Sequence, residues 1–177
     1  MHTNKNILYY FIVAGLFILL KFGFTLANTA NLIFLLQPTS KFVGLLTGSS
    51  AVYLVDKGFY YDRLNIVIDK SCSGFNFWAL GFLVFMSLAI KYFDKPLHKI
   101  LAIPTVLIGA YLLTIFANTS RIFASIVVQH QTKHFLANQQ PIIHETIGIV
   151  TNLTFLVTVY YLTEKILIYK QRYAKPA

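Results

Sequence analysis

The stretch Ser71-Cys72-Ser73-Gly74, followed by FNFWALGFLVFMSLAI over residues 75–90, decides how the chain is read. Small polar residues open a run that carries no charged side chain. Such a run reads as a helix that starts at a membrane surface and continues into lipid. The only cysteine of the chain then lies at the water boundary, beside the positive end of a helix dipole. There a thiol is well placed to act as a nucleophile.

Composition points the same way. Of 177 residues, 56% are hydrophobic and 12% charged, with a mean hydropathy of +0.64. A soluble domain of this length has no interior large enough for that much apolar surface, so the excess faces lipid. Further charge-poor runs cover about 7–26, 100–118 and 146–166, close to the roughly 20 residues a crossing helix needs. Together with 75–90 they predict one all-α polytopic domain over 1–177 with about four transmembrane helices. The first run competes with a cleaved signal peptide ending near Ala27 or Ala30, but its length favours an uncleaved span.

The outer segment 27–73 is apolar but broken by Asn28, Thr29, Asn31 and Gln37-Pro38-Thr39-Ser40. It reads as short interfacial helices, the second capped by Thr39 and ended by Gly48. A kinked extension of the first span is the alternative. Asp56-Lys57-Gly58 is a turn signal, and Leu64, Ile66 and Ile68 alternate with their neighbours. A small extracytoplasmic β-hairpin is therefore expected, delivering the chain to Cys72.

Charge distribution sets an orientation. The formal net charge is +9, gathered at Lys91, Lys95 and Lys99 and again at Lys165, Lys170, Arg172 and Lys175. Both clusters flank spans and are expected in the cytoplasm. An even number of spans then puts both termini there and leaves the Cys72 end outside. No basic stripe with interleaved aromatics suggests nucleic acid. A single cysteine excludes an internal disulfide and a CxxC cluster. No HExxH-type helix pair suggests a metal, and no cofactor is expected.

This orientation sets three reactive side chains at one depth: Cys72 opening the second span, Arg121 closing the third and His144 opening the fourth. A thiolate is the nucleophile of acyl transfer. An imidazole can hold its proton and return it. A guanidinium stays charged and donates paired hydrogen bonds to an oxyanion. Asn118 shares a helix face with Arg121. With Ser73 and Glu145 it is expected to bind or orient substrate, although Glu145 points about 100° away from His144 on a helix. His130 and His134 compete for the role of His144. Plainer readings stand beside these: a lone cysteine as packing, Arg121 as an interfacial anchor, and Gly74, Gly81 and Gly148 as sites of close helix approach.

The pattern resembles the exosortase/archaeosortase family. Ser71-Cys72-Ser73-Gly74 opening a membrane helix is similar to that family's Cys-Ser-Gly signature, Asn118 to Arg121 to its Asn-x-x-Arg motif, and His144 with Gly148 to its last helix. Gln37-Pro38-Thr39, then Leu45-Leu46-Thr47-Gly48, resembles its lead-in. The resemblance implies a membrane cysteine transpeptidase at the outer face of a prokaryotic inner membrane. It implies a partner, the C-terminal sorting tail of an exported protein, that is cleaved and passed to an acceptor. Cys72 would be the nucleophile, Arg121 the oxyanion stabiliser and His144 the general acid/base. The short chain resembles a minimal subfamily such as exosortase K.

Overall fold

In a computed structural model the described residues are 3–132 and 140–173. Among them, four helices are long and apolar enough to cross a bilayer: α1 (Thr3–Leu26), α3 (Phe75–Tyr92), α4 (Pro96–Thr132) and α5 (Gln140–Tyr173). α2 (Ile33–Thr47) lies between the first two of these. α3 is the inner helix: 56% of its apolar segment is buried, against 6% for α1 and for α5. Leu8, Phe11, Leu19 and Phe22 on α1, like Ile149, Val157 and Ile166 on α5, stand exposed.

Two boundaries differ from expectation. Asn118-Thr119-Ser120-Arg121 does not end a helix; α4 runs on to Thr132 as 37 residues, roughly 55 Å at 1.5 Å per residue. The polar side chains are accommodated in place. Ser120 Oγ bonds back to Phe116 O at 2.9 Å, and Asn118 reaches another segment, described below. α5 begins at Gln140, with Pro141 in its first turn, where a missing N–H costs nothing. His144 therefore sits inside the helix rather than at its mouth. Residues 133–139 lie outside the described ones.

Segment 27–73 also differs. The two expected interfacial pieces are a 3₁₀ turn (Ala30–Leu32) and one helix, α2, which passes through Pro38. Proline cannot donate to the carbonyl four residues back, here Phe34. That carbonyl is taken instead by Tyr111 Oη of α4, at 2.7 Å. Thr39, expected as a cap, is fully buried inside the helix. Gly48 does end it, in the left-handed conformation with φ 62°.

The expected hairpin gains a third strand. β1 (Val52–Leu54), β2 (Gly58–Tyr61) and β3 (Ile66–Ile68) form an antiparallel sheet in that order, with Tyr53 opposite Phe59 and Tyr60 opposite Val67. Tyr61 fastens it to α2. Its buried hydroxyl donates to Ser40 O and accepts from Ser40 Oγ at 2.8 Å.

The other end of the bundle is basic and laced together. Lys91 Nζ and Tyr92 Oη both bond Glu164 Oε1, at 2.9 and 2.8 Å. Gln171 Nε2 donates to Tyr92 O near the end of α3, at 2.9 Å, and Lys99 Nζ reaches Asn6 Oδ1 at 2.6 Å. The start of α1, the end of α3, the start of α4 and the end of α5 thus share one end. The sheet and Cys72 belong to the opposite end.

Candidate active site

β3 hands the chain to a 3₁₀ turn, Lys70–Cys72. Asp69 builds it: the carboxylate accepts from Ser71 N–H at 2.9 Å and from Ser71 Oγ at 2.6 Å. Lys70 secures it to α1 by donating to Ala27 O at 2.5 Å while its ammonium lies 4.9 Å from the Phe24 ring centroid. Cys72 is half-buried, with Ser71 Oγ 3.7 Å from its sulfur.

The next two residues join this turn to α3. Ser73 is buried, and its Oγ accepts from Phe75 N–H at 3.3 Å, an ordinary closing bond of a helix start. Gly74 has φ 72°, and a Cβ on it would come within 3.0 Å of Thr114 Cγ2 and 3.1 Å of Asn118 Cγ. A glycine here suits both backbone and packing. It brings the Cys72 turn against the middle of α4.

Asn118 uses that proximity. Its Nδ2 donates to the Cys72 carbonyl at 2.6 Å, while its buried Oδ1 has no partner. Arg121 lies three residues further along the same helix, and its Nη2 is 3.3 Å from His144 Nε2 on α5. Guanidinium can only donate, so Nε2 accepts and the ring proton resides on Nδ1. Arg121 Nε is buried without an acceptor. It lies across Gly148, one turn past His144, where a Cβ would stand 2.9 Å from Nε. Gly148 is thus the seat of the arginine side chain.

The structure therefore brings together the Cys72 backbone with Asn118, and Arg121 with His144. Among the described residues, no hydrogen bond joins the Cys72 sulfur to either Arg121 or His144. Glu145 is exposed and makes no hydrogen bond to His144, as their divergence on a helix requires. His134 and the imidazole of His130 lie outside the described residues. Among those described, no three His, Cys, Asp or Glu side chains gather as metal ligands would.

Sequence reasoning missed two contributors. Asp69 carried a usable signal, since an Asp two residues before a Ser is the pattern of an Asx turn. Thr114 carried none: its contact with Gly74 depends on how two helices pack. The chain matches no protein-family model, no curated protein and no solved structure.

Proposed function

We propose that this chain is a membrane-resident cysteine transpeptidase, as its resemblance to the exosortases implies. The observation that supports this best is a relay of two bonds. Asn118 holds the Cys72 carbonyl, and Arg121, one turn along α4, holds His144. Nucleophile, cation and base thus come from three separate elements tied to one helix.

In this reading the bundle resides in a prokaryotic inner membrane, its basic end and both termini cytoplasmic and its Cys72 end outside. The sorting tail of an exported protein brings its scissile amide to Cys72. The substrate carbonyl oxygen draws Arg121 away from the neutral imidazole as negative charge grows on it, because charge-assisted hydrogen bonds are roughly twice as strong. The freed His144 Nε2 takes the Cys72 proton as the sulfur attacks the carbonyl carbon, and gives it to the amine nitrogen as the C–N bond breaks, leaving a thioester and a neutral imidazole. An amine, hydroxyl or water then takes the acyl group and restores the thiol.

One observation favours a second reading, a non-catalytic membrane scaffold: the sulfur bonds neither partner. Cys72→Ser separates the two. The transpeptidase reading expects tail-bearing proteins to accumulate uncleaved in cells carrying Cys72→Ser at wild-type protein level. Normal cleavage in those cells would leave the scaffold.

A further inference from the structure

A cavity of about 550 Å³ lies away from Cys72, between α3, α4 and α5. On α4 it runs from His98 to Leu113, and on α5 from Val159 to Lys170. Fifteen residue steps of helix measure roughly 22 Å, so one extended hydrocarbon chain can lie along the groove.

Its walls are largely apolar, with Phe93 and Leu113 among them and Thr105 and Thr163 part-way along, and its two ionisable side chains, His98 and Lys170, stand at one end. The nearby carboxylate of Glu164 is engaged by Lys91 and Tyr92. Among the described residues Lys170 has no ion-pair partner. Lys95, Lys165 and Arg172 add positive charge at this end of the bundle. A long apolar slot that finishes at an unneutralised cation suits an amphiphile with an anionic head. It does not suit a substrate tail with a basic end.

The geometry points to a site for one acyl chain of an anionic phospholipid, its phosphate held at Lys170 and His98. The site rests on the proposed membrane residence but not on the cysteine chemistry. Gly109 provides a clean test. It lines the groove, and a Cβ there would meet nothing within 4 Å. Gly109→Leu therefore fills the slot without disturbing the packing behind it.

The experiment is native mass spectrometry of the full chain, purified in detergent as Cys72→Ser and offered phosphatidylglycerol or phosphatidylcholine with identical chains. Phosphatidylglycerol should be retained about fivefold better, the effect of one lysine near an anionic headgroup. Gly109→Leu should remove retention of both lipids, and Lys170→Gln should remove the preference alone. Equal retention of the two lipids, or full retention in Gly109→Leu, would overturn the proposal. So would a photo-cross-link from this groove to a synthetic sorting-tail helix that Gly109→Leu abolishes while lipid stays bound. The Cys72→Ser background keeps the outcome independent of whether the chain is an enzyme. Recovery of the chain outside the membrane fraction would sink the membrane reading itself.

Discussion

At the scale of single residues, the arginine is the most sensitive point of the proposed site. Its charge survives in Arg121→Lys, but the planar two-pronged donor does not. Tail cleavage should fall by about 10- to 1,000-fold if the guanidinium holds an oxyanion. Gly148→Ala gives a complementary test. The added methyl would stand 2.9 Å from Arg121 Nε, near the free end of a flexible side chain. The fold should tolerate it, with melting temperature nearly unchanged, while the displaced guanidinium lowers the cleavage rate by about tenfold or more. An unchanged rate would remove the Arg121–His144 contact from the mechanism. The types and order of Cys72, Asn118, Arg121 and His144 were legible in the sequence. The partner of each was not. Helical spacing puts Asn118 on the face of Arg121, yet Asn118 turns to the Cys72 carbonyl, 46 positions away. Long-range partners are set by helix packing, which leaves no local trace.

At the scale of elements, the four apolar helices were legible because long runs with few charged side chains stand out in the sequence itself. Their ends were not. α4 continues past a polar quartet of which Asn118 Nδ2, Ser120 Oγ and Arg121 Nη2 find partners within the bundle, and α2 continues past Pro38 because Tyr111, from a distant part of the chain, takes the orphaned carbonyl. The third strand was visible as alternation at Leu64, Ile66 and Ile68, but its pairing was not. Tyr61 is the element-scale prediction. Tyr61→Phe removes its bonds to Ser40, and loosening of the sheet should cost about 1–2 kcal/mol, read as a lower melting temperature and faster proteolysis across residues 50–69. Burial also pushes the Tyr61 hydroxyl above the usual tyrosine range. A raised acid pKa in the folded state means this contribution is complete below about pH 10 and fades as pH climbs through the folded value. Thermal melts across pH 8 to 11 should show that loss in the wild type and not in Tyr61→Phe.

At the scale of the whole molecule, the proposed orientation can be read by labelling. In a Cys72→Ser background, a cysteine placed at Lys57, in the β1–β2 turn, should react with an impermeant maleimide added outside intact cells. One placed at Lys95 should react only after lysis. The reverse pattern would turn the bundle over and put Cys72 in the cytoplasm. One proportion carries a last consequence. α3 has 18 residues, roughly 27 Å, slightly less than the roughly 30 Å of a typical hydrocarbon layer. The sulfur is moored just past its upper end. Thicker membranes would submerge the thiol beneath the headgroups and starve it of solvent, whereas thinner ones would lift it clear. In the proposed reading, the length of one central helix would thereby serve as a gauge of bilayer thickness.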